Sequence, residues 1–157
     1  MVKTLLYGYG NPGRMDDGLG TSFVEDFQRW IEQEDIKNIH TDSNYQLNIE
    51  DAEKISAYES VIFVDASKEP IEQFSFTKVD AAKARVEFTM HAVSPAYVLY
   101  LCKDLFQKSP ETYLLHIKGY EWDFKEILTP KAQENKNAAM QFMHQQIKKN
   151  NLQPSNN

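Results

Sequence analysis

The chain of 157 residues holds a single cysteine, Cys102. One cysteine excludes an intramolecular disulfide and a cysteine zinc cluster, and it makes the cytoplasm the expected compartment. No apolar run approaches the roughly 20 residues needed to span a bilayer, so no membrane contact is expected. The first apolar run stops at Gly8, too short for a secretory signal, and no small-residue cleavage pattern follows it. Positive charge is scarce: 17 Lys and Arg against 23 Asp and Glu leave a formal net charge of -6. That balance speaks against a nucleic-acid partner, which normally meets a basic patch. The expected state is a monomer.

What is present describes a globular domain, with 41% hydrophobic and 25% charged residues. The length suits one hydrophobic core. One domain is expected over 1–149, followed by a polar tail, 150–157, that frays.

Periodicity divides the chain into alternating strands and helices. Lys3 to Tyr7 reads as a first strand. Leu19, Phe23, Phe27, Trp30 and Ile31 then share one helical stripe, and that helix ends near Glu34 and Asp35. Asn38 to Thr41 is a second strand ending at Asp42, and Asn48 with Asp51 opens a short helix to about Ala57. Val61 to Val64 reads as a strand buried on both faces. Phe74 to Val79 and Val86 to Met90 are further extended candidates. Ser94-Pro95 caps a helix, Ala96 to Phe106, that is apolar nearly all round and is therefore expected to be well buried. Tyr113 to Ile117 is another strand, stopped by Gly119. Thr129-Pro130 opens the last helix, with Ala139, Phe142, Met143 and Ile147 on its inner stripe. This alternation predicts an α/β domain of three layers, a mainly parallel twisted sheet with helices on both faces.

In open α/β sheets, ligands sit beyond the carboxyl ends of the strands. Asp16 and Asp17 follow the first strand, Asp65 follows Val61 to Val64, and His91 follows Val86 to Met90. Parallel strands bring these to one edge. Two carboxylates and an imidazole suit a divalent first-row metal. The same groups also suit acid/base chemistry by the carboxylate pair. Each has a plain structural use as well: Asp17 as a helix cap, Asp65 as an acceptor for loop amides, His91 as a buried histidine. His40, His116 and His144 have no partner pattern and read as structural or surface residues. Cys102 reads as a small buried hydrophobe and Trp30 as core.

The opening loop tests these alternatives. GYGNPG, with Gly8, Gly10 and Gly13, spells the dinucleotide-binding turn after a strand. That turn needs a helix starting within it, aiming free N–H groups at a pyrophosphate. Pro12 and Gly13 delay the helix here, and Gly18 and Gly20 loosen its start. Asp16 and Asp17 would repel a phosphate by about 4 kcal/mol per charge pair at 4 Å and an effective dielectric near 20. Asp42 stands where a ribose-binding acid would be, but the loop suits a cation better than an anion.

The stretch G-x-G-N-x-x-x-x-D-D-G-x-G, Gly8 to Gly20, resembles the amino-terminal signature of the hydrogenase maturation endopeptidases over thirteen continuous positions. Val61 to Asp65, His91-Ala92-Val93-Ser94-Pro95, Lys118 to Glu121 and Leu128-Thr129-Pro130 resemble later segments of that family, in the same order. The resemblance implies that Asp17, Asp65 and His91 contact nickel and form the catalytic site. It implies no resident cofactor: the nickel would belong to the substrate, the nickel-loaded precursor of a nickel-iron hydrogenase large subunit, whose C-terminal extension is removed. Water would be activated by the nickel as Lewis acid or by a carboxylate as general base. The chain departs from the family after the second strand. Asp42 is kept, but Ser43-Asn44-Tyr45-Gln46-Leu47 replaces a glycine turn. Gln46-Leu47 and Gly119-Tyr120-Glu121 are similar to members acting on cytoplasmic, multisubunit hydrogenases. Two other functions remain at this stage. Peptidyl-tRNA hydrolase shares the G-x-G-N-P-G spelling, yet it places a histidine soon after the motif, and positions 14 to 39 hold none. A chaperone that docks on a metalloprotein without cutting it is the non-enzymatic alternative.

Overall fold

The structure, a computed structural model, describes residues 2–84 and 93–156. The extended candidate Val86 to Met90, and His91 with it, lie outside the described residues.

Among the described residues six strands form one sheet: β1 (Thr4–Tyr9), β2 (Ile39–Asn44), β3 (Ser60–Ser67), β4 (Phe74–Lys78), β5 (Glu111–Lys118) and β6 (Ser155–Asn156), in the order β2-β1-β3-β5-β4-β6. β2, β1, β3 and β5 run parallel, while β4 is antiparallel to both β5 and β6. The helices are α1 (Leu19–Gln33), α2 (Asp51–Ile55), α3 (Pro95–Phe106) and α4 (Pro130–Lys148).

Strand alternation separates two cores. Leu6, Ile62, Val64, Leu115 and Ile117 face α1 and α4, where Phe23, Phe27, Ile31, Ala139 and Met143 are buried. Leu5, Tyr7, Tyr9, Val61 and Phe63 point the other way, against Ala52 and Ile55 of α2 and Val98, Leu99 and Cys102 of α3. The expected three-layer α/β arrangement is therefore the observed one. α3 and α4 start as their sequences predict: Ser94 Oγ accepts from Tyr97 N and Thr129 Oγ1 from Ala132 N, each followed by proline.

Two expectations about packing need correction. α3 is not buried all round: it buries Val98, Leu99 and Cys102, while Tyr100 and Leu105 are 44% and 58% exposed. The sheet needs only one face of this helix, and among the described residues no further layer covers its outer side. The tail does not simply fray either. Leu152 packs on the core, and β6 adds a short antiparallel pairing to the edge strand β4. An unpaired strand edge attracts a strand, and the polar residues of the tail leave their backbone free to pair.

Trp30 is half-buried against the core and stacks on His144, with centroids 3.9 Å apart and planes at 14°. Cys102 is fully buried, as expected.

A tight packing constraint joins β1 to α1. A Cβ on Gly8 would stand 2.3 Å from Gly20 O, and one on Gly20 would stand 2.5 Å from both Tyr9 O and Val64 O. Strand and helix touch backbone to backbone, which only glycine permits. A Cβ on Gly13 meets only the Asn11 amide, at 3.2 Å. Gly8→Ala and Gly20→Ala should each lower stability in urea unfolding by about 3 kcal/mol, the upper end for overpacking. Gly13→Ala should change it by less than about 1 kcal/mol.

Candidate active site

Asp17 and Asp65 meet at the carboxyl edge, where the sequence places them. β1 leads through Gly10 into a 3-10 turn, Met15–Gly18, that precedes α1. Gly10 takes φ +135°, and a Cβ there would lie 2.1 Å from Asp17 O. Its conformation therefore folds the turn back over the strand end. Met15 adopts φ 45°, a left-handed conformation unusual outside glycine, and its N–H donates to Lys125 O at 2.8 Å. These two special positions set the directions of the aspartates that follow.

The loop amides already serve the protein's own acceptors. Asn11 N donates to Asp17 Oδ2 at 2.8 Å, and Gly13 N donates to Asn11 Oδ1 at 2.8 Å. A carboxylate thus sits where a dinucleotide turn would hold phosphate, and the glycines serve close packing.

Asp16 and Asp17 have different surroundings. Asp16 is fully buried and faces the loop after β5. Its Oδ2 accepts from Tyr120 N (2.7 Å), Glu121 N (3.2 Å) and Thr129 Oγ1 (2.8 Å), and its Oδ1 accepts from Thr129 N (2.8 Å). A backbone bond from Asp16 N to Glu121 O and a side-chain bond from Arg14 Nε to Trp122 O extend the seam. Sequence reasoning sees the adjacent acids but not this role, because the partners lie more than 100 residues away in the chain. Asp17 is half-buried and acts on Asp65 instead.

Asp65 lies within β3, which runs on to Ser67. Burial first, and the Asp17 charge second, push its carboxyl up to about 7, against hydrogen bonds from Tyr9 and Ala66 N that favour ionisation. The Tyr9 hydroxyl is itself raised well above its ordinary value by burial and by Asp65. Tyr9 is thus part of the site. The sequence shows it only as a letter of GYGNPG, since its neighbour depends on strand pairing. His116 is the register partner of Asp65 on β5, and burial lowers its imidazole's pKa, favouring the neutral form.

His91, the third residue expected here, lies outside the described residues. Among the described residues no three His, Cys, Asp or Glu gather as a metal site. Asp42 is engaged elsewhere: it pairs with Lys54 and accepts from Ser43 N. The neighbouring loop is tied to β1 through Asp51, whose carboxylate accepts from Tyr7 Oη (3.1 Å) and Asn48 N (2.8 Å). A cleft of about 830 Å³ lies at the opposite edge of the sheet, lined by Thr4, Trp30, Ile39, Ser60 and Tyr113. Concavity and chemistry disagree here. The paired carboxylates decide for the carboxyl edge, because a shifted acid beside a like charge marks chemistry more specifically than volume does.

Two outcomes follow for the aspartates. Asp16→Asn turns an amide N–H₂ toward groups that are themselves donors, so it should destabilise the fold by about 2–3 kcal/mol in urea unfolding; Asp17→Asn should do so far less. A raised carboxyl favours the folded state fully below its unfolded value of 3.8, and loses that contribution as pH rises through about 7. Asp65→Asn has no proton to lose. Its melting temperature should therefore gain on that of the parent chain between about pH 4 and pH 8, as differential scanning calorimetry would show.

No family model matches the chain, and no curated protein does. Solved structures do. HycI, a [NiFe] hydrogenase maturation protease from Thermococcus kodakarensis KOD1, superposes with a TM-score of 0.74 at 19% identity, covering 94% of this chain and 93% of that one. The hydrogenase maturating endopeptidase HybD from E. coli gives 0.76 at 14% identity, covering 98% and 97%. An endopeptidase from Escherichia coli solved in solution gives 0.73 at 15% identity, again covering 98% and 97%. The chain therefore has the fold of the hydrogenase maturation proteases over nearly its whole length.

Proposed function

We propose that this protein is an endopeptidase that recognises nickel in the precursor of a nickel-iron hydrogenase large subunit and removes its C-terminal extension. The observation that carries this reading is the Asp17–Asp65 pair at the carboxyl edge, on a fold shared with HycI and HybD. Asp17 and Asp65 would contact the nickel, together with His91. The metal arrives with the substrate and leaves with it. A carboxyl raised to about 7 exchanges its proton near neutrality, which suits Asp65 to take the proton of the attacking water.

The rim of this edge suits a protein partner. Tyr45 and Ile49 after β2, and Phe124 and Ile127 after β5, are 55–82% exposed. Exposed apolar groups collected on loops around a site favour a protein surface over a small molecule. No helix among the described residues is long and apolar enough to cross a membrane, consistent with work in the cytoplasm on the newly made subunit.

Mass spectrometry of large-subunit precursors incubated with the protein tests the reading. A nickel-loaded precursor should lose a C-terminal peptide, a nickel-free one should not, and Asp17→Asn should abolish the loss while the protein stays folded. Binding without any change in precursor mass would replace the protease by a chaperone.

A further inference from the structure

The loop between β1 and the 3-10 turn closes on itself through one side chain. Arg14 N donates to Asn11 O at 3.1 Å, which makes residues 11 to 14 a β-turn. Asp17 N then donates to Arg14 O at 3.0 Å. The Asp17 carboxylate completes the circuit, because its Oδ2 accepts from Asn11 N at 2.8 Å. Asp17 is therefore held by a peptide group of its own loop and not by the sheet.

That hold depends on where Asn11 N points, and three features fix its direction. On one side, Gly10 N donates to Asn44 O of β2 at 3.1 Å, and Gly10 turns the chain with φ +135°. On the other side, the ring of Pro12 locks its own φ. Within the turn, Asn11 Oδ1 accepts from Gly13 N at 2.8 Å. A side-chain bond to the amide two residues on is an Asx-turn, and Asn, Asp and Ser open β-turns because their side chains make it. The Asn11 side chain thus braces the very peptide whose N–H holds Asp17. The two oxygens of Asp17 differ as a result. Oδ2 is engaged, whereas Oδ1 has no hydrogen bond from any described residue.

We infer that Asn11 is a positioning residue for Asp17: its side chain braces the turn that aims its own peptide N–H at Asp17 Oδ2, so that the carboxylate presents Oδ1 to the substrate's metal. The inference rests on the function proposed above. The Asn11 carboxamide touches neither the metal nor the scissile bond and acts only through Asp17.

Asn11→Ala removes the brace and keeps the N–H. Steady-state cleavage of nickel-loaded precursor, at a temperature where calorimetry shows the variant folded, should give a kcat lowered about 10-fold, the lower end for a disturbed outer partner of a metal-contacting group. Asn11→Asp and Asn11→Ser restore an acceptor for Gly13 N, one with the same shape and one without added charge. At least one of them should keep kcat within about threefold of the parent chain. Hydrogen exchange reports the bond itself: the amide at position 11 should be protected in the parent chain and in the rescued variant, and should lose protection in Asn11→Ala. A parental kcat for Asn11→Ala overturns the inference and leaves the protease reading standing. So does a kcat loss without loss of protection, or a loss that neither Asp nor Ser restores, since either result has the carboxamide itself meeting the substrate. A parent chain that cleaves no precursor removes the protease reading, and the role of Asn11 falls with it.

Discussion

The buried carboxylate of Asp16 joins parts of the chain that no secondary structure connects. Strands and helices bring the turn before α1 and the loop after β5 to the same end of the sheet, but neither segment has a hydrogen-bonding ladder of its own. Four donors from Tyr120, Glu121 and Thr129 converge on the two oxygens of Asp16. A fully buried carboxyl group is tolerable only with such complete hydrogen bonding by the protein. One of those donors is the Thr129 hydroxyl, which also caps α4 through Ala132 N. A single side chain thus couples the start of α1, the late loop and the start of α4.

With Asp16 fixed, the direction of Asp17 follows. Neighbouring residues in a tight turn project to different sides, and Gly10 and Met15 supply the backbone conformations that the turn requires. One aspartate goes to the seam and the other to the site. The contrast is one of solvation. Asp16 has donors on both oxygens, whereas Asp65 is partly desolvated with a like charge nearby, so it holds its proton to about neutrality. Structural and chemical carboxylates are told apart here by their partners: the fully buried Asp16 is ringed by donors, and the half-buried Asp65 faces a like charge.

The two edges of the sheet also divide the work. The amino edge carries an open cleft, lined by Trp30, Ile36, Ile39 and Leu152, while the carboxyl edge carries the charged groups and the exposed aromatic rim. In a parallel sheet, every strand that leaves the core at the carboxyl edge delivers a loop there, and side chains from distant parts of the chain meet without further machinery. Tyr9 and Asp65 are an instance: the parallel register of β1 and β3 sets a phenol beside a carboxylate.

The sequence by itself determined the class of fold, because strand runs such as Val61 to Val64 and stripes such as Leu19, Phe23 and Phe27 are local patterns with distinct periods. It located the caps at Ser94 and Thr129, since a cap is decided within four residues. It also placed Asp17 and Asp65 at one edge, because strand ends in a parallel sheet share a side. Tertiary structure alone decided what depends on distant partners. The exposure of Tyr100 and Leu105 followed from there being one sheet face for α3 to cover, and the pairing of β6 followed from an open edge on β4. The burial of Asp16, the place of Tyr9 beside Asp65 and the proton held by Asp65 arise from groups 48 to 113 residues apart. No local pattern records such contacts, since hydrogen bonding and desolvation depend on distance in space and not along the chain.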